Sequence, residues 1–167
     1  MLPYQDRHAI NFNTVSSADQ AKILAIELGD DPAIAYGKRL LEISRYFGGY
    51  GLDRAEELLA EAALLIENDA DVNLQSEDDK ATALHYAACY GVRPLIRLLV
   101  NSGRCDYLLK DGEHRYAAGL AMEWSGDFAL ARLLSKHQVR QAHERGVPAY
   151  EGPRAREVNI IPLSRRP

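Results

Sequence analysis

Shifted against itself by about 34 residues, the chain matches, and an internal period of that size limits the fold more than any other feature. Ala62–Asn73 (AALLIENDADVN) aligns with Ile96–Tyr107 (IRLLVNSGRCDY), which sets Leu64 against Leu98 and Leu65 against Leu99. Leu98 and Leu99 in turn face Leu133 and Leu134, and Gly91 faces Gly126, both at a spacing of about 35 residues. A period in the range of about 20–50 residues indicates a stacked array, in which one unit buries too little apolar surface to fold without a neighbour.

Local patterns agree on helices. Ser17–Gln20 (SADQ) has capping-box spacing and opens a short helix over 18–28, with Ile23, Leu24, Ile26 and Leu28 as its stripe. Asp31 before Pro32 is an N-cap and N1 pair, and predicts a second helix through about Phe47, ended by the run Gly48–Gly51. Asp53–Glu56 (DRAE) resembles another capping box, and the Ala, Leu and Glu that follow to about Glu67 are strong helix formers. Further helices are predicted over 83–90, over 94–101 with Pro94 in the first turn, over 117–125 and over 127–137. No convincing strand interrupts them, so the class is all-α.

The motif that gives the period a name is Thr82–Ala87 (TALHYA), which fits the ankyrin T-P-L-H-x-A signature with Ala83 at the proline. Asn68–Asn73 (NDADVN) is similar to the family's turn after the second helix, with Asp69 where glycine is usual. The chain thus resembles ankyrin-repeat proteins over residues 33–138, in units of about 33–71, 72–105 and 106–138. The central unit carries nearly the whole pattern. Its neighbours are degenerate, as capping repeats with water-facing outer sides are. The resemblance implies an ankyrin-type helical solenoid of about three repeats. An N-terminal segment with an extra capping helix occupies 1–32, and a helix end with a Pro- and Arg-rich extended tail occupies 139–167. It further implies that Thr82 and His85 tie the helix start to the preceding turn by hydrogen bonds, and that Ala87 and Ala88 let first helices approach closely.

His85 and Cys89 lie four residues apart and share a helix face, which raises the alternative of a reactive or metal-binding pair. A closed zinc site needs two further ligands, and no C-x-x-C or H-x-x-x-H supplies them. A nucleophile pair needs an orienting third group and an oxyanion site, which the sequence does not suggest. The repeat accounts for His85 without chemistry. His137 and His143 are off same-face spacing, His8 and His114 have no partners in sequence, and no nucleotide, zinc-protease, hydrolase or EF-hand motif is present. No catalytic residue, metal or cofactor is expected. Two cysteines are too few for a disulfide scaffold, the start lacks signal-peptide character, and no apolar run of about 18 residues occurs, so a cytoplasmic location is expected.

Charge points to a partner. Residues 1–131 hold 12 Lys+Arg against 21 Asp+Glu, a net of -9, whereas 132–167 hold 8 against 3, a net of +5. The acidic runs Glu77–Asp79 and Asp111–Glu113 fall at the turns between units, an edge that the family uses for binding, although a solvated charge run is the competing account. By the same resemblance the residues after Ala-Ala on each first helix face the concave groove: Cys89 and Tyr90, then Trp124 under one of two alignments one residue apart, with Tyr46 the candidate in the preceding unit and core packing the competing account for the aromatics. The expected partner-binding set is Glu77, Asp78, Asp79, Lys80, Tyr90, Asp111, Glu113, His114 and Trp124. The function implied is a non-enzymatic module binding a basic protein, such as an inhibitor, an immunity-type protein or an adaptor; the oligomeric state is left open, with a monomer favoured. A nucleic-acid-associated factor using the basic tail, and a small enzyme without a recognisable motif, are the alternatives. Nucleic acid is disfavoured by the acidic body.

Overall fold

A helix pair of this size leaves part of its apolar stripe bare, and the chain covers it by laying each pair against the next. The computed structural model describes residues 29, 31–49 and 52–150. These form α1 (Pro32–Gly49), a 3-10 turn (Leu52–Arg54), α2 (Ala55–Glu67), α3 (Ala83–Tyr90), α4 (Arg93–Asn101), α5 (Ala117–Glu123) and α6 (Phe128–Arg145). No strand occurs among the described residues. The helix expected over 18–28 and the tail from 151 onward lie outside them.

Two layers result. α1, α3 and α5 pack side by side in chain order; α2 lies against α1 and α4, and α6 against α5. One continuous core runs between the layers. Leu65, Leu99 and Leu134, matched by the period, are all buried, and Ala62, Ala87, Ala88 and Ala121 fill the narrow places where helices meet. Leu64 and Leu133, one residue earlier, are exposed. Burying a leucine stabilises by roughly 1.5–3 kcal/mol, so the buried column and not its exposed neighbour holds the stack.

The helix ends show which local signals acted. Asp31 Oδ1 accepts from Ala33 N–H at 2.9 Å and starts α1 as expected. The box expected at Asp53–Glu56 does not form: Arg54 occupies the N-cap of α2 with no side-chain cap bond, and a 3-10 turn leads into the helix instead. Glu56 and Glu57 in the first turn complement the helix dipole there. α5 stops at Glu123, two residues early, while α6 runs to Arg145, well past 137. It continues because Gln138 and Ala142 extend its buried face, and Gly146 in the left-handed conformation caps it.

Thr82 and His85 form a reciprocal capping box on α3. The Thr82 Oγ1 accepts from His85 N–H, and His85 Nδ1 accepts from Thr82 N–H at 3.2 Å. The outer ring nitrogen, Nε2, lies 3.1 Å from the Arg115 carbonyl. A carbonyl only accepts, so Nε2 carries the proton and Nδ1 is the acceptor. His85 therefore ties the helix start to Thr82, which ends the preceding turn, and also ties the helix to the following turn, a contact the resemblance did not imply.

The connecting turns are stitched by side chains one repeat apart. Asn73 donates to Arg104 O and accepts from Asp106 N–H; Gln141 donates to Cys105 O and accepts from Tyr107 N–H. Arg104 donates to the carbonyls of Ile66, in the last turn of α2, and of Ala70 just beyond it. Between these carbonyls Asp69 sits at φ 64, where a side chain is strained and glycine is not. Its carboxylate lies 3.8 Å from Arg104 with the side chain 92% exposed, a pair of little worth. Asp69→Gly is therefore expected to stabilise the fold by about 1 kcal/mol and Asp69→Val to destabilise it, read from urea unfolding midpoints.

Candidate functional site

The turns between units place two loops next to each other. Ser76 and Ala81 close the first through Ser76 N–H to Ala81 O at 2.9 Å; Asp111 and Arg115 close the second through Asp111 N–H to Arg115 O at 3.0 Å. Gly112 N–H donates to Asp79 O at 2.7 Å, and Gln75 bridges the carbonyls of Lys80 and Lys110. Together with the exposed sides of α3 and α5 the loops enclose a groove of about 600 Å³.

Its walls bring together Asp78, Asp79, Tyr90, Asp111, Glu113 and Trp124 from the expected set. Glu77, Lys80 and His114 are exposed on the same loops but do not line the groove, and Lys80 and His114 hold positive φ there. Trp124 is 64% exposed at the end of α5, and Tyr90 is 42% exposed, so neither is a core residue. The Tyr90 ring rests on bare backbone of α1: a methyl group added at Gly48 would fall 2.0 Å from it. The glycine run that ends α1 thus also provides the seat for a groove aromatic.

The carboxylates divide in two. Asp111 is buried, and its Oδ1 accepts from the N–H groups of Glu113 and Arg115 while Oδ2 accepts from Arg115 Nε at 2.9 Å. Burial alone pushes this carboxyl up, but the Arg115 N–H and guanidinium outweigh it and hold it below the usual range. Asp79 accepts from Ala81 N–H, Ser76 Oγ and the Tyr86 hydroxyl. Burial and the adjacent carboxylate push the Tyr86 phenol up to about 12, so it stays a donor. Asp79 and Asp111 are thus occupied in shaping their loops. Asp78 and Glu113 face water, each paired with an arginine, Arg45 at 2.9 Å and Arg115 at 3.0 Å.

Arg45, Tyr86, Cys89, Arg115 and Leu120 belong to the groove or its rim and were not in the expected partner-binding set. Arg45 on α1 reaches Asp78 in the turn of the next unit, a contact that no spacing in the sequence gives. Its guanidinium also lies over the Tyr86 ring, 5.5 Å from the centroid.

His85 lines the floor, and both ring nitrogens are engaged, by Thr82 and by Arg115. Neither is left to deprotonate Cys89 or bind a metal, which answers the question posed by their spacing. Among the described residues no three His, Cys, Asp or Glu side chains gather to hold a metal ion. Cys89 and Cys105 are unpaired thiols, and no described helix is long and apolar enough to cross a membrane.

The sequence itself matches the family description "Ankyrin repeats (3 copies)" over residues 55–143. The chain belongs to the ankyrin-repeat family. The match runs from the start of α2 into the last turns of α6; α1 precedes it and packs on α2 and α3. Ankyrin repeats are in general protein–protein interaction modules, and the groove is where this one presents aromatic and charged side chains together.

Burial pushes the His85 imidazole below 6.5, and the Arg115 carbonyl and the Asp111 charge only partly restore it. The unfolded chain therefore takes up this proton first, so stability present above pH 6.5 is lost as pH falls through the folded value. The melting temperature is expected to fall from pH 6.5 toward the carboxylate range, with a shallower slope in His85→Gln. A remnant belongs to His137, whose value burial and the nearby Arg140 and Lys136 also lower.

Proposed function

We propose that this chain is a non-enzymatic binding module of the cytoplasm whose groove takes a basic segment of another protein. The observation that carries the reading is Trp124, a large aromatic left 64% exposed on a concave wall beside Tyr90 and rimmed by carboxylates. An exposed indole in a monomer core repeat stabilises little, whereas tryptophan and tyrosine in a pocket are the commonest hot spots of protein interfaces. The groove lining holds four carboxylates, Asp78, Asp79, Asp111 and Glu113, against Arg115. With Arg45 at the rim the set remains acidic, which favours lysine or arginine in the occupant and speeds its approach. An inhibitor, an immunity-type protein and an assembly adaptor all use a surface of this kind.

The division among the carboxylates decides how to test it. Substituting Asp79 or Asp111 disturbs loop folding, so the informative variants are Trp124→Ala, Glu77→Lys and Glu113→Lys. Trp124→Ala is expected to change folding stability by no more than about 0.5 kcal/mol, as an exposed position does. It is expected to weaken a captured partner by about 2 kcal/mol, mainly through faster dissociation. Glu77→Lys with Glu113→Lys slows association and reduces its salt dependence. Capture of partners from the native host by full-length protein, followed by binding kinetics on these variants, provides the measurement. A partner whose kinetics ignore Trp124 and both loop charges rules the groove out.

A further inference from the structure

Resting on that reading of the groove, we propose that its resting occupant is the chain's own C-terminal segment, residues 151–167, which a partner must displace. The last described residues set the direction. After the end of α6, Val147 N–H donates to Ala142 O, and the buried Gln138 donates to Ala149 O at 2.5 Å. The Tyr150 ring then stands edge-on to Tyr116, centroids 6.3 Å apart, with the Lys110 ammonium 5.5 Å from the centre of the Tyr116 ring. Tyr116 is the N-cap of α5 and the residue next to Arg115, which forms part of the groove wall. The chain therefore leaves the described body beside Tyr116, one residue along the chain from the groove wall.

The segment beyond Tyr150 complements the groove in charge and polarity. Residues 151–167 carry Arg154, Arg156, Arg165 and Arg166 against Glu151 and Glu157, with Val158, Ile160 and Ile161 between the two arginine pairs. Basic ends around an apolar centre suit a groove with acidic loops and the aromatic walls Tyr90 and Trp124. Seventeen extended residues span about 55 Å, far more than the approach from Tyr150 requires. A short tether gives an effective concentration in the millimolar range, so even a weak groove ligand occupies the site when it is attached. An outside partner then binds with an affinity reduced by the fraction of grooves left open.

Trp124 is the chain's single tryptophan, so its fluorescence reports the groove alone. Full-length protein is compared with a full-length variant in which Arg154, Arg156, Arg165 and Arg166 are each replaced by Glu. Acrylamide is expected to quench the variant about two-fold more strongly than the wild type, the change that emptying a site held near half occupancy or above by its tether produces. Raising salt to about 1 M, where the Debye length is about 3 Å, brings the wild type to the variant's level. A synthetic peptide of residues 151–167 added to the variant restores protection and saturates. Equal quenching in wild type and variant at low salt overturns the proposal, as does protection that grows with protein concentration, which would place a second molecule's segment in the groove. If the quenching is equal but a captured partner still dissociates faster from Trp124→Ala, the self-occupancy falls and the groove as a binding site stands.

Discussion

Every unit of this protein depends on the contact between successive inner helices, α1 on α3 and α3 on α5. Only small residues let two helices come so close, and Ala87 and Ala88 on α3 supply them on both sides. The outer helices are placed in turn, because Leu65, Leu99 and Leu134 each need the space that this stacking encloses. An array built so has neighbour contacts and little else, and the middle pair bears on both ends. That is why α3 carries the full signature, a complete capping box and a bond to the next turn, while its counterparts do without. At the position one repeat after His85 the chain has Gly119, and Tyr116 caps α5 with no side-chain bond.

The polar ties obey the same logic. A turn between stacked helices exposes carbonyls and N–H groups that must find partners once neighbours exclude water. Asn73 and Gln141 grip one turn, Arg104 to Tyr107, from its two sides, each amide accepting one N–H and donating to one carbonyl. Arg93 adds a forked pair to Asp127, the N-cap of α6, at 2.7 Å for both bonds. These links fix the register of neighbouring units more than they add stability, since exposed ion pairs contribute little. Loops held in register are what allow Asp79 and Gly112 to meet and the groove to have a fixed shape.

Periodicity and the Thr-x-x-His signature made the architecture legible in the sequence, and α3 is bounded by the residues expected. Sequence pattern failed where a helix end is decided by something other than an apolar stripe. The stripe of α6 fades after Leu134, yet the helix continues on one buried amide, Gln138, and one alanine. The acidic loops failed differently. Their charge was visible, but nothing in the letters told Asp111, buried and held by its loop's N–H groups, from Asp78, Asp79 and Glu113, which are exposed. The aromatics at Tyr90 and Trp124 were placed by family register, and the seat that Gly48 provides for Tyr90 arises only from the packing of α1 on α3.

The engaged carboxylates bear on what kind of specificity the groove can offer. A loop whose acids were all free would attract any basic chain and hold each loosely. Here Asp111 is fully engaged by Arg115, and Arg45 and Arg115 partly neutralise Asp78 and Glu113. An incoming arginine gains most by taking the place of one of these guanidiniums, so it must match the carboxylate in position as well as sign. In the proposed binding event one guanidinium replaces another on the same carboxylate, which leaves the aromatic contacts to decide which segment stays. Under the proposed reading, such a groove suits reversible exchange between occupants of similar charge, with Trp124 and Tyr90 left to discriminate among them by shape.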